Sequence, residues 1–208
     1  MGYFAWHEQP GYWRDVTRHF DPGTRLLDLG CGSAWLADHF ADYTGVDGSP
    51  EAVRAAAERG RTVLLGDAGE PLPFEDGAFG GAVLKDLLEH VRDPASVVRE
   101  VRRVVAPGGR VFASSPDAQR WVWDDYTHRR PFTRKAFRLL FADQGWTVER
   151  VGYESVAPGT SIVAARTRSH RRPFPFTVLA WLPWWRRNVW LTATVPARAS
   201  GPSPTSAS

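Results

Sequence analysis

Three aspartates in the first third of the chain, Asp28, Asp47 and Asp67, each leave a β-rich apolar run, and the first lies two residues before the turn Gly30-Cys31-Gly32. Carboxylates so placed can accept hydrogen bonds from ribose hydroxyls or an amino group, because open α/β sheets bind ligands beyond the carboxyl ends of their strands. The turn follows Leu26-Leu27-Asp28-Leu29, whose leucines suit a strand covered on both faces. Gly30 and Gly32 permit backbone angles and close approaches that a side chain forbids, and Ser33 is placed to cap the helix expected next. A nucleotide-like ligand is therefore expected at this turn.

The spacing narrows the ligand further. A dinucleotide turn would carry a third glycine where Trp35 stands, and the indole would obstruct a pyrophosphate lying against the helix N-terminus. No G-x-x-x-x-G-K-[ST] sequence occurs, and Lys85 and Lys135 are the only lysines. What remains is an adenosine-bearing cofactor without phosphates, and the acid Asp28 suits one that also carries an ammonium group. S-adenosylmethionine has both features.

The stretch Asp28-Leu29-Gly30-Cys31-Gly32-Ser33-Ala34 resembles the first motif of class I S-adenosylmethionine-dependent methyltransferases, with Ala34 in place of that family's third glycine. The likeness is continuous to about Asp117 and includes the "LEH-DP" segment Leu88-Glu89-His90-Val91-Arg92-Asp93-Pro94. It implies an α/β three-layer sandwich around a mostly parallel, seven-stranded, Rossmann-like sheet with a last antiparallel strand. Among cofactor residues it implies Asp28, Gly30, Cys31, Gly32, Asp47, Gly48, Asp67, Ala68 and Lys85. Asp47 would hold the ribose hydroxyls, Asp67 the adenine amino group, and the Ala68 backbone the ring edge. Two helix starts read independently of the family: Ser49-Pro50 and Asp93-Pro94 are each an N-cap followed by a first helical proline. Val97, Val98, Val101, Val104 and Val105 give the second of these helices its buried face. The D/N-P-P-Y/F sequence of amino-directed nucleic-acid methyltransferases is absent, which disfavours methylation of a base.

The acceptor side is expected in the loop from Ser114 to Thr133, because loops this long in compact domains are usually functional. It resembles the fifth-strand loop of small-molecule methyltransferases, including quinone O-methyltransferases, in which a His precedes a Phe-Thr helix start. His128 is the expected general base, since imidazole suits removal of a hydroxyl proton, with Asp125 and Tyr126 in reserve. The implied reaction is transfer of a methyl group to a small or lipid-linked acceptor, with oxygen the favoured atom. Methylation at nitrogen or carbon, and a catalytically silent docking module, are the alternatives.

With 208 residues and 43% hydrophobic content, the chain can bury one α/β core. Residues 1–198 read as a single domain, with 1–24 as an N-terminal cap whose Trp6, Tyr12 and Trp13 cover the cofactor or acceptor, and 199–208 as a disordered tail. A helix from Thr133 to about Gln144 closes at Gly145, and Thr147–Tyr153 and Asn188–Pro196 are the last strands. The single cysteine, Cys31, excludes an internal disulfide and suits a reducing cytoplasm. The six histidines show no metal spacing, so no metal is expected, and no apolar run reaches the roughly 20 residues that span a bilayer.

The formal charge of +3 is unevenly spread. No acid follows Glu154, whereas Arg166, Arg168, Arg171, Arg172, Arg186, Arg187 and Arg198 do, leaving 19 basic against 23 acidic residues before them. Within an insertion at 156–187, the stretch 171–187 interleaves arginine with tryptophan and phenylalanine. That pattern suits peripheral contact with an anionic membrane interface, a lid over a hydrophobic acceptor, or an ordinary packed insertion. Nucleic acid is disfavoured by the acidic body, and the residues do not set the oligomeric state.

Overall fold

In this computed structural model the described residues are 14–155 and 186–197. The N-terminal aromatic residues, most of the insertion at 156–187 and the tail at 199–208 lie outside them. Seven strands form one sheet: β1 (Leu26–Leu29), β2 (Tyr43–Asp47), β3 (Val63–Leu65), β4 (Phe79–Lys85), β5 (Val105–Pro116), β6 (Thr147–Ser155) and β7 (Arg186–Thr194). Their order is β3-β2-β1-β4-β5-β7-β6. All pairs are parallel from β3 to β5, and β7 runs antiparallel to both of its neighbours. The expected mixed sheet with an antiparallel final strand is the one observed.

Period-two alternation sorts the strand residues onto two faces. Leu27, Leu29, Ala82, Leu84, Val111, Ala113 and Leu191 belong to the larger core, with the valines of α3 (Pro94–Val104) and Phe137 and Phe141 of α4 (Arg134–Asp143). Leu26, Val83 and Phe112 join Val16, Leu36 and Phe40 in a second core on the opposite face. Val16 comes from the short helix α1 (Arg14–Thr17), and α2 (Pro50–Ala57) adds Ala56 to a third cluster beside Cys31 and Val63. The result is helix, sheet and helix in three layers. Buried Trp146 fastens the end of α4 to α3 by donating its indole N–H to the Val98 carbonyl at 3.2 Å.

Both helix starts form as their residue types dictate. Ser49 Oγ accepts the Ala52 N–H ahead of α2, and Asp93 Oδ1 accepts the Ala95 and Ser96 N–H groups ahead of α3. Thr133 caps α4 in the same way, accepting the Ala136 N–H.

The turn after β1 differs from expectation in two respects. Ser33 caps nothing: its buried hydroxyl has no hydrogen-bond partner among the described residues, and a short 3-10 turn, Trp35–Asp38, replaces the expected helix start. Ala34 precedes that turn at φ 58°, a left-handed angle that favours glycine and that the alanine adopts here. Trp35 does not border the ligand cavity either. Its ring lies beneath Arg59 and Arg61, whose guanidinium carbons stand 4.4 and 5.0 Å from the centroid, so it is not the element that would exclude a pyrophosphate.

Candidate functional site

A cavity of about 920 Å³ opens at the carboxyl ends of β1, β2 and β4. Gly30, Cys31, Gly32, Asp47, Gly48, Asp67, Ala68 and Lys85 all border it, so the cavity gathers eight of the nine residues expected to contact a cofactor. Each reaches the wall for a local reason. Gly30 has φ 75°, and a Cβ there would meet Leu87 Cδ1 at 3.0 Å, so the turn needs glycine for both angle and space. Asp47 ends β2 and clamps the turns on either side: one carboxylate oxygen accepts the Gly32 N–H and the other the Ser49 N–H, each at 2.8 Å. The backbone donors that would otherwise receive an anion are thereby occupied by a carboxylate. Asp67 holds its own turn by accepting the Gly69 N–H at 2.8 Å.

Asp28 is the ninth, and it does not border the cavity. It shares a sheet face with Leu26, because strand alternation sends residues two apart to the same side. Its carboxylate is 2% exposed and accepts the Tyr43 hydroxyl at 2.8 Å beneath the glycine turn. Gly45, its register partner on β2, makes the room, since a Cβ there would stand 2.8 Å from Cys31 Sγ and 3.0 Å from the Tyr43 hydroxyl. Burial raises the Asp28 pKa from 3.8 to about 7, against the opposing Tyr43 hydrogen bond and with help from the nearby Asp47 charge. Burial and the same carboxylates push the Cys31 thiol far up, so it is a filler of the turn and no nucleophile.

Another part of the lining comes from the segment after β4. Asp86 takes a left-handed φ of 51°, its N–H bonded to the Ser114 carbonyl at 2.9 Å and its carboxylate accepting from Ser114 Oγ and Asn188 Nδ2. A non-glycine residue held at such an angle stores roughly 1 to 3 kcal/mol of strain, a cost concentrated at ligand sites. Lys85 Nζ lies 3.7 Å from Asp86 Oδ2. Asp86, Leu87, His90 and Arg129 border the cavity alongside Lys85. Behind them Glu89 is fully buried, and burial together with the Asp86 charge raises its pKa well above the usual carboxylate range.

The acceptor-side residues expected from the sequence sit differently. Tyr126 is 96% exposed and His128 lies off the cavity wall. His128 donates Nδ1–H to the Val122 carbonyl at 2.6 Å, and its ring packs 4.8 Å from that of His90, which does reach the cavity. Asp125 accepts the Thr127 hydroxyl and backbone N–H, bonds that hold its pKa below the usual range. The loop is tied over His90 by its arginines: Arg129 donates its backbone N–H to the Glu89 carbonyl and Nε–H to the His90 carbonyl, and Arg130 reaches the Arg92 carbonyl. Glu89, His90 and His128 bring donor atoms within 4.8 Å of one another, a grouping whose chemistry serves proton handling or a cation. Sequence spacing missed it, since His128 is 38 positions from His90. The signal for Asp86 and His90 was present, because Asp86 directly follows the β4 run at the sheet's carboxyl edge and His90 comes four residues later in the same segment.

Residues 27–113 match the family described as a methyltransferase domain. That segment is similar to methyltransferase domains, and the seven-stranded sheet has the class I S-adenosylmethionine-dependent methyltransferase fold. Over 113 residues it is 39% identical to a ubiquinone biosynthesis O-methyltransferase of Paraburkholderia phymatum, covering 50% of this chain and 48% of that protein. A solved S-adenosylmethionine-dependent methyltransferase of Archaeoglobus fulgidus superposes with TM-score 0.69 at 16% identity, covering 88% and 91% of the two chains. The [4+2]-cyclase SpnF superposes with TM-score 0.65 at 24% identity, over 88% and 79%. The chain spans a third to about half of the length of the curated relatives it matches. S-adenosylmethionine is the cofactor that the matched methyltransferase family implies, and the cavity fits it, being bordered by the acids Asp47 and Asp67 and by the glycine turn, groups that suit an adenosine.

Proposed function

We propose that this methyltransferase moves a methyl group from S-adenosylmethionine to a small or lipid-linked acceptor, at oxygen. The observation that carries the reading is the Asp47 clamp, which fixes the glycine turn and the α2 start around one cavity that Asp86 and His90 also border. In this reading Asp47 holds the ribose, Asp67 and Ala68 the adenine, and Gly30 to Gly32 the amino-acid end, with Lys85 beside them. The cofactor supplies a methyl group already activated on a sulfonium. The chain's own task is then alignment of the acceptor and exclusion of water, which supply much of the rate.

Oxygen is favoured by the imidazole at the cavity wall, a group suited to a hydroxyl proton, and by the O-methyltransferase relatives. Likeness to SpnF is likeness of fold, and fold alone does not fix the reaction. The test is incubation of a cell extract with the protein and isotope-labelled S-adenosylmethionine, followed by mass spectrometry of labelled products. A labelled hydroxyl compound is expected. Label confined to nitrogen or carbon would overturn the oxygen assignment, and absence of cofactor binding by calorimetry would overturn the whole reading.

We also propose that the arginine- and tryptophan-rich stretch 171–187 makes peripheral contact with anionic membrane, supported by the excess of arginine and the absence of acids after Glu154.

A further inference from the structure

We propose that His90 is the base that takes the acceptor's proton, and that Asp125 and Thr127 hold it in the one tautomer able to do so. The inference rests on the transfer to oxygen proposed above. A threonine hydroxyl has a single proton. The Thr127 hydroxyl sits 2.6 Å from Asp125 Oδ1, which also accepts the Thr127 backbone N–H at 2.9 Å, so that proton belongs to the carboxylate. The same hydroxyl lies 3.1 Å from His90 Nδ1 and has only lone pairs left to offer there. The ring must therefore donate, which places its proton on Nδ1 and leaves Nε2 bare.

The surroundings keep the ring neutral and ready. Burial, and after it the neighbouring His128, lower the His90 pKa, opposed by a hydrogen bond to the Thr127 backbone, then Asp125 and Asp86. The groups facing it are thus Asp86 and Arg129 on the cavity wall, and Glu89, Asp125 and His128 behind. His128 supports from the rear: its Nδ1–H is spent on the Val122 carbonyl and its ring packs on His90. Transfer forms one oxygen–carbon bond and breaks one carbon–sulfur bond, whose electron pair stays on sulfur. The acceptor's hydroxyl proton moves to His90 Nε2. The imidazolium so formed is stabilised through Thr127 by the Asp125 carboxylate, and it returns its extra proton to water.

The order carboxylate, hydroxyl, imidazole follows the logic of a nucleophile's base oriented by a third group, with a hydroxyl inserted between the two. It makes His90 the catalytic residue and Thr127 and Asp125 positioning residues.

The experiment uses the full chain with 15N-labelled histidine and long-range 1H–15N correlation spectra, the His90 signals being assigned from His90→Gln. His90 is expected as the Nδ1–H tautomer, with Thr127→Val shifting it toward Nε2–H and Thr127→Ser restoring it. With the labelled product as readout, His90→Gln should lower kcat roughly 100-fold or more, with cofactor affinity by calorimetry within about twofold of wild type, since His90 touches none of the bonds that fix the Asp47 clamp. A wild-type Nε2–H tautomer, full turnover by His90→Gln, or Zn²⁺ displacing the His90 and His128 signals together at equimolar metal would each overturn the proposal. Failure of wild-type cofactor binding would instead strike the methyl-transfer reading.

Discussion

Replacing Asp28 by Asn should abolish a pH dependence of stability that one buried carboxyl creates. In the folded chain the group titrates at about 7 against 3.8 ordinarily, because burial beneath the glycine turn outweighs the Tyr43 hydrogen bond. Each unit corresponds to 1.36 kcal/mol, so the rise is worth on the order of 4 kcal/mol. The pKa is raised on folding, so the protonated form is favoured: the contribution is fully present below about pH 4 and is lost as pH rises through 7. Asn keeps an oxygen to accept the Tyr43 hydroxyl and carries no charge to bury. Urea unfolding at pH steps from 4 to 8.5 should therefore give a wild-type curve that falls, relative to Asp28→Asn, by a few kcal/mol, with the variant the more stable at pH 8. Two curves that stay parallel across that range would refute the assignment of the burial cost to Asp28. A cationic cofactor adds a linked effect, since a positive charge above the turn favours the Asp28 carboxylate, so binding should release protons near pH 7 in wild type and not in the variant. Calorimetry in buffers of different ionisation enthalpy reads that release directly.

Other predictions follow from the same bonds and packing. Asp47→Ala removes a carboxylate that accepts two backbone N–H groups, each such charged bond being worth roughly 1.5 to 3 kcal/mol, and should weaken S-adenosylmethionine binding about 100-fold or more by calorimetry. Unchanged affinity would remove Asp47 from the site. Phe137→Ala empties a fully buried position between Phe132 and Phe141 and should cost about 3 to 5 kcal/mol, read as a fall in Tm of roughly 10 °C with cofactor affinity retained in the folded fraction. Deleting residues 171–185 should reduce co-sedimentation with vesicles rich in anionic lipid, most strongly at low salt, and equal sedimentation would dismiss the membrane contact.

Much of the cavity lining around Asp47 was legible because its determinants are local. Ser49-Pro50 and Asp93-Pro94 cap helices wherever they stand, and the glycine turn after an apolar strand depends on backbone angles that few other residues adopt. The acids Asp47 and Asp67 end or follow their strands, so their arrival at the sheet edge follows from strand length and parallel pairing. Ser33 and Trp35 misled for the opposite reason. Their neighbourhood is set by a left-handed Ala34 and by Arg59 and Arg61, which arrive from beyond α2.

By itself the sequence determined the strand-to-turn stretches of the first half, the helix starts at Ser49-Pro50 and Asp93-Pro94 and the residues of the glycine turn and Asp47, since each follows from propensity, capping and period over a few residues. Only the tertiary structure decided that Asp28 lies under the turn, through alternation against Tyr43 and the space left by Gly45. It alone put His90, ahead of His128, on the cavity. That choice depends on Arg129 and Arg130 bonding carbonyls 38 to 40 positions away, and contacts of such separation are fixed by how the loop packs back on the sheet edge, which no local pattern records.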